Sequence, residues 1–281
     1  MTAERDFAAE QAAFWNGPGG ESWLASLARI ERSITGFGEQ ALAAAAAQPG
    51  EHVVDIGCGT GSTTLALGSA VGADGSVLGL DISEPLIDVA RRKSPPPQVT
   101  FRVGDAATNQ FELSSTDLLF SRFGVMFFGD PVAAFGNLRR ALKPAGRLVF
   151  VCWRPVLEND WVLVPMKAAV PHLPPVERPG PEDPGPFAFG DPARVTRILT
   201  EAGFTPPAFT PLDRQLWSGA TIDDAVENMT KFGPLFRVFV DASHAQTAKA
   251  KEAIAAALKP YVGAEGVHLS GACWLVSARA G

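Results

Sequence analysis

The amino-acid sequence predicts an α/β protein built on a doubly wound, mostly parallel sheet, and three observations carry that prediction. From residue 50 to 153 strand-like and helix-like stretches alternate, the signature of a parallel sheet with right-handed crossovers. Val53-Val54-Asp55-Ile56, a buried-strand pattern, runs directly into Gly57-Cys58-Gly59-Thr60-Gly61 and then into a helix-compatible Ser62-Thr63-Thr64-Leu65-Ala66-Leu67. Asp130-Pro131 and Asp191-Pro192 each place a helix N-cap before a first-turn proline and an apolar stripe.

Residues 5 to 47 read as helices: Trp23, Leu27, Ile30 and Ile34 fall at helical spacing, and Ala41 to Ala47 continues with strong helix formers up to Gln48-Pro49-Gly50. Asn16-Gly17-Pro18-Gly19-Gly20, flanked by Trp15 and Trp23, predicts a flexible break in that run. Further along, Val132, Phe135, Leu138 and Leu142 stripe one helix, and Leu148 to Trp153 reads as a short apolar strand. Eight prolines between 171 and 192 exclude a continuous helix or a central strand there and predict a lid loop. Val195, Ile198 and Leu199 point inward from the next helix, which Gly203 closes. Residues 207–217 and 268–278 are strand-like, with a mostly helical stretch between them. The expected organisation is an N-terminal helical lid segment at 1–48, a core at 49–153, and a completion of the sheet at 154–281. Lid insertions are expected near 155–190 and 221–262.

A chain of 281 residues can bury a substantial core in one large domain. With 46% hydrophobic and 19% charged residues, and no apolar run near the roughly 18 residues of a membrane span, the composition is that of a soluble globular protein. The polar start, Met-Thr-Ala-Glu-Arg-Asp, lacks the layout of a secretory signal, so a cytoplasmic location is expected. Three cysteines, at 58, 152 and 273, make no disulfide framework and no zinc-ligand pair. A net charge of −6 gives no electrostatic footprint for phosphate backbones, so nucleic acid is not an expected partner.

The glycine loop carries the chemistry. Glycines at 57, 59 and 61 let the backbone approach a ligand where a Cβ would collide, and the free N–H groups of the following helix would face that ligand. A dinucleotide fingerprint wants glycine at the position occupied by Ser62, and Asp55 would repel a pyrophosphate while favouring an ammonium and a sulfonium. A nicotinamide-dependent reductase is weakened on both counts. This loop, followed in order by Val77-Leu78-Gly79-Leu80-Asp81-Ile82-Ser83, Val103-Gly104-Asp105-Ala106, Asp117 to Phe123 and Leu142 to Leu148, resembles the class I methyltransferases that use S-adenosylmethionine. Its flavour is that of the ubiquinone/menaquinone-biosynthesis and small-molecule branch.

The resemblance implies a Rossmann-like, seven-stranded sheet with an antiparallel edge hairpin and helical lid insertions. It implies S-adenosyl-L-methionine as cofactor, S-adenosyl-L-homocysteine as product, and no metal. Asp55, Gly57, Cys58, Gly59, Thr60 and Gly61 would form the loop around the methionine portion. Asp81 would accept the ribose hydroxyls, Ile82 cover one adenine face, Asp105 accept from the exocyclic amine with Ala106 donating to the ring, and Ser121 and Arg122 close the methionine end.

The acceptor half is less specified. No Asn-Pro-Pro-Tyr-like tetrapeptide follows the fourth strand, and no carboxylate cluster suggests magnesium. Trp15, Trp23, Phe123, Met126, Phe127 and Trp153 would suit a hydrophobic or aromatic substrate under a closing lid, although ordinary core packing explains any one of them. His172, in the proline-rich insertion, is the first candidate base, ahead of His244 and His268, with a solvated surface histidine as the alternative; Arg122 is a second catalytic candidate. The expected function is methyl transfer to a small, apolar or aromatic metabolite by a monomer or homodimer. A peptide or protein side-chain methyltransferase and a non-catalytic cofactor-binding module remain as alternatives.

Overall fold

The computed structural model describes residues 6–175, 180, 182–231 and 233–281. The first five residues of the expected N-terminal segment, and residues 176–179 and 181 of the proline-rich insertion, lie outside the described residues.

Three N-terminal helices, α1 (Phe7–Trp15), α2 (Pro18–Ala25) and α3 (Leu27–Ala45), precede the first strand. The break expected at Asn16 to Gly20 shrinks to Asn16-Gly17, because Pro18 takes the first position of α2 and Gly19 and Gly20 are buried within it. Helix α3 turns Ile30, Ile34, Phe37, Gly38 and Ala41 inward. At its C-terminal end Arg147 donates to Ala45 O and pairs through both terminal nitrogens with Glu51 at 2.7 and 2.8 Å, which holds α3 to the sheet.

The core alternates as the pattern predicts: β1 (His52–Ile56), α4 (Ser62–Val71), β2 (Ser76–Asp81), α5 (Glu84–Arg92), β3 (Val99–Val103), β4 (Thr116–Arg122), α6 (Pro131–Ala141) and β5 (Leu142–Trp153). The chain continues through α7 (Asp160–Ala169), α8 (Pro192–Glu201), β6 (Ala208–Gly219), α9 (Ile222–Lys231), α10 (Pro234–Phe239), α11 (His244–Leu258), β7 (Val262–Gly263) and β8 (Gly266–Arg279). The strands order as β3-β2-β1-β4-β5-β8-β6, with β1 to β5 parallel and β8 antiparallel to both β5 and β6. The sheet has eight strands among the described residues, one more than expected: the extra strand is the two-residue β7, which turns back onto β8 through Val262 and Val267. Strand β5 is also longer than the expected Leu148 to Trp153, since Leu142 already pairs with Thr116 across a register shift.

Both Asp-Pro helix starts form. Asp130 Oδ1 accepts from Ala133 N at 3.0 Å and Asp191 Oδ1 from Ala193 N at 2.9 Å. Gly203 leaves α8 at φ +89°, and Phe204 N donates back to Leu199 O, so the glycine supplies the left-handed turn that ends the helix.

Burial divides the molecule into two cores. The larger fills both faces of the sheet, with Phe37, Phe120, Phe135, Phe150 and Phe189 almost inaccessible. The smaller joins Ala169 of α7, Leu173, Ala225 of α9, Leu235 of α10, Ile254 of α11 and Leu269 of β8. The insertions expected as two separate lid pieces therefore share one apolar core. Trp161 packs against both cores, at the joint between sheet and lobe. Among the described residues, no helix is long and apolar enough to cross a membrane.

Candidate cofactor site

The site lies at the carboxyl ends of the parallel strands, where β1 runs into the glycine loop. Gly57 N and Cys58 N both donate to Leu80 O, at 2.8 and 3.2 Å, which tips the loop toward β2. Gly57, Gly59 and Gly61 all have positive φ, at +65°, +55° and +83°. They do not do the same job. A Cβ on Gly57 would lie 2.6 Å from the Cα of Gly124, and one on Gly61 would lie 2.5 Å from the Phe101 ring. A Cβ on Gly59 would meet nothing within 4 Å. Two of the three glycines thus accommodate the protein's own packing, and Gly59 is the one that opens onto free space.

Two carboxylates flank that opening. Asp55 is 1% exposed; its Oδ2 accepts from Thr63 Oγ1 and Thr64 Oγ1, each at 2.7 Å, while its buried Oδ1 has no partner among the described residues. Burial pushes its pKa up from an ordinary 3.8 to about 6, against the pull of the two threonine hydroxyls and of Arg122. Asp81, half-buried at the end of β2, accepts from Gly59 N at 2.8 Å and Ser83 N at 2.9 Å, and burial raises its pKa too. The Cys58 thiol is held well above its usual range by burial and by Asp81 and Asp55, so it stays neutral and inert.

The other expected residues fall into three groups. Asp105 caps its own turn by accepting from Ala107 N at 2.8 Å, and Asn137 of α6 donates to the carbonyl of Ala106 at 3.1 Å, fixing the turn after β3. Ser121 is fully buried, donates to Ile56 O at 2.7 Å and accepts from Gly124 N at 3.1 Å. Its hydroxyl ties the end of β1 to the loop after β4. Arg122 makes a two-pronged ion pair with Glu31 of α3, at 2.6 and 3.1 Å, with its side chain 10% exposed. Both therefore reach the site through the backbone they hold in place.

The aromatic candidates form two clusters. Phe123, Phe37, Trp153 and Trp161 form a column beside β4 and β5, with Phe123 and Trp153 stacked at 4.6 Å and 14°. Phe123 adopts φ +66°, a conformation costly for a bulky residue, while Phe123 N donates to Val151 O. Trp15, Trp23 and Phe127 form the second cluster, edge to face at 5.4–5.8 Å, between the N-terminal helices and the short 3-10 turn Val125–Phe127. Met126 is buried and its carbonyl accepts from Gly185 N, which anchors the proline-rich insertion.

His172 is exposed and ends the 3-10 turn after α7. That helix starts beside Trp153, through the Trp153–Trp161 contact at 4.7 Å, and His172 follows its C-terminal end. His244 is exposed on α11, and His268 is half-buried on β8.

Several site residues carried no readable sequence signal. Asn16 donates to Ile82 O at 3.0 Å and accepts from Glu84 N at 2.9 Å, while Ser83 Oγ donates to Trp15 O at 2.8 Å. These bonds latch the end of α1 onto the turn after β2. Within an Asn-Gly pair, Asn16 reads only as a turn residue. We expect Asn16→Ala to release the latch at a cost of about 1–3 kcal/mol, because Ile82 O and Glu84 N lose their partner. Hydrogen exchange should accelerate in α1 and α2 while β1 and β4 remain protected; unchanged exchange in α1 would contradict the latch.

An acid with an orphaned buried oxygen, an acid at the next strand end and an open glycine between them fit a ligand bearing an ammonium and hydroxyls. The fold and site define a Rossmann-like α/β domain whose glycine loop and acidic strand ends lie at the carboxyl edge of its parallel strands. Residues 54–150 match the model of a methyltransferase domain. The match runs from within β1 to within β5 and leaves the N-terminal helices and the lobe after β5 outside it. It is 39% identical over 102 residues to a demethylmenaquinone methyltransferase of Lactiplantibacillus plantarum, covering 35% of this chain and 43% of that enzyme. It is 36% identical over 116 residues to a 37.1 kDa transposon protein of Streptomyces fradiae, covering 41% of this chain and 32% of that one. The chain thus spans less than half the length of these curated relatives. A candidate methyltransferase from Bacillus halodurans shares the fold, with a TM-score of 0.57 at 17% identity over 86% of this chain and 97% of the other.

Proposed function

We propose that this protein transfers a methyl group from S-adenosylmethionine to a small, apolar or aromatic metabolite. The observation that carries the reading is the orphaned Oδ1 of Asp55 beside the open face of Gly59, inside the matched domain. In this reading the glycine loop, including Cys58 and Thr60, surrounds the methionine portion, and Asp55 accepts from its ammonium. Asp81 keeps lone pairs beyond the two backbone bonds it accepts, and these take the ribose hydroxyls. Ile82, Asp105 and Ala106 hold the adenine.

The bound cofactor would supply an electrophilic methyl group on a sulfonium. The protein's part is alignment and exclusion of water. Asp55 and Asp81 place negative charge where the ligand is cationic. The latched N-terminal helices cover the β2 end, and the Phe123–Trp153 stack offers an apolar wall toward β5. His172 is exposed at the end of the turn after α7, and the proposal assigns it no proton transfer. Arg122 acts as a positioning residue through Glu31.

The test begins with calorimetric titration of S-adenosylmethionine and S-adenosylhomocysteine, with NADH as control. It continues with transfer of labelled methyl to a panel of hydroxylated aromatics and quinols that includes demethylmenaquinol. Binding of the two sulfur compounds with methylation of an aromatic acceptor is the expected result. Saturable binding without transfer to any acceptor would replace the enzyme by a binding module. Binding of NADH alone would remove the cofactor assignment.

A further inference from the structure

Gln11 is a polar residue that folding leaves in an unusual position. It sits midway along α1, is only 9% exposed, and its buried Oε1 has no hydrogen-bond partner among the described residues. Orphaned amide oxygens are rare in folded proteins, because each keeps its desolvation cost with nothing in return. The placement of α1 shows where this one faces. One turn before Gln11, Phe7 packs on Gly129, whose Cβ would fall 3.1 Å from that of Phe7. One turn after it, the Trp15 ring meets Phe127, and Trp15 O accepts from Ser83 Oγ. Residues four apart share a helix face, so Gln11 lies on the face that α1 turns to the 127–129 lip.

The helix crosses the carboxyl edge of the sheet from β2 toward the segment after β4. Its C-terminal end is bonded to the turn after β2 and its N-terminal end meets Gly129 in the segment after β4, and in the sheet order β1 lies between β2 and β4. The second orphaned acceptor of this edge, Asp55 Oδ1, belongs to that same strand. The ribose side is already provided for by Asp81. Two unpartnered acceptors, one on β1 and one on the helix that joins its flanking segments, match a group that presents several N–H donors at once and carries positive charge.

We propose that Gln11 is a cofactor-binding residue supplied by the N-terminal helices, and that its Oε1 accepts a hydrogen bond from the ammonium of the S-adenosyl ligand. The inference rests on the cofactor reading above. It also explains how α1 senses the crevice: ligand satisfies an oxygen that the closed helix otherwise buries at a cost. Ligand binding and closure of α1 therefore reinforce each other.

The test uses the full chain with Gln11→Met and, as a second variant, Gln11→Leu, titrated with S-adenosylhomocysteine and with 5′-methylthioadenosine, which lacks the amino-acid moiety. The expected loss is about tenfold in affinity for S-adenosylhomocysteine, with methylthioadenosine binding within about twofold of wild type. The ligand-free melting midpoint should stay level or rise in both variants, since an unsatisfied buried oxygen has been removed. Equal S-adenosylhomocysteine affinity would overturn the proposal, and so would equal weakening toward both compounds. A fall in ligand-free melting temperature that parallels the loss of binding would show a structural role instead. If wild type binds neither compound, the cofactor reading itself fails, independently of Gln11.

Discussion

Gly57→Ala is expected to collapse the site and destabilise the domain by about 4 kcal/mol or more, whereas Gly59→Ala, two residues on, is expected to cost only about 1–2 kcal/mol and yet abolish cofactor binding. Both glycines sit in the left-handed region, so both alanines carry the same backbone penalty. The difference is what each Cβ meets. At Gly57 it would meet the Gly124 backbone at 2.6 Å, and a Cβ on Gly124 would in turn meet Ile56 O at 2.6 Å and Gly57 Cα at 2.8 Å. Neither partner has a flexible side chain that could move aside, so the β1 and β4 ends must separate. That separation would pull on Ser121, whose hydroxyl bridges the same two segments. At Gly59 the added methyl would enter open space, the space assigned to the ligand. Denaturant unfolding and calorimetry on the two variants decide the matter. A Gly57→Ala protein within 1 kcal/mol of wild type would refute the packing argument, and a Gly59→Ala protein with undiminished affinity would move the ligand elsewhere.

Asp55 yields the second large effect, and it depends on pH. Burial lifts its folded pKa to about 6 from 3.8, so between these values the folded protein holds a proton that the unfolded chain has released. The slope of stability against pH is then negative: this group's contribution is greatest below 3.8 and falls by about 3 kcal/mol as pH rises to 6, with little change above. Ligand affinity should run the opposite way. An ammonium binds the ionised carboxylate, so S-adenosylhomocysteine should bind more tightly as pH rises from 5 to 7. Asp55→Asn should flatten both dependences, raise ligand-free stability at neutral pH, and weaken binding by about 2 kcal/mol or more through loss of the charge-assisted hydrogen bond. Melting and titration series across that range provide the check. Parallel rather than opposed trends in stability and affinity would exclude Asp55 as the ammonium acceptor.

Much of the fold was legible along the chain because local and global preferences agree. The β1 pattern, the Asp-Pro starts of α6 and α8 and the alternation through β8 each state one element in the residues that form it. The carboxylates of the candidate site were legible for a related reason. In a parallel sheet, ligand groups cluster at strand ends, and Asp55 and Asp81 are marked by the strands that precede them. Legibility failed where a residue's role depends on a distant partner. Glycine spacing showed that the loop bends, but whether a glycine faces a ligand or another backbone depends on Gly124 and Phe101, which come from other segments. Arg122 and Ser121 read as site residues by position, and their side chains instead hold α3 and β1 in place.

The amino-acid sequence by itself therefore determined the α/β class, the order of the core elements and the identity of the acids beside the loop, since periodicity, caps and strand-end acids are local properties. Tertiary structure alone decided which of three glycines is open, that the two insertions share one core, and that Asn16 ties the end of α1 to the turn after β2. Those features are made by contacts between segments far apart in the chain, such as Asn16 and Ile82 at a separation of 66 residues, for which no local spacing leaves a mark.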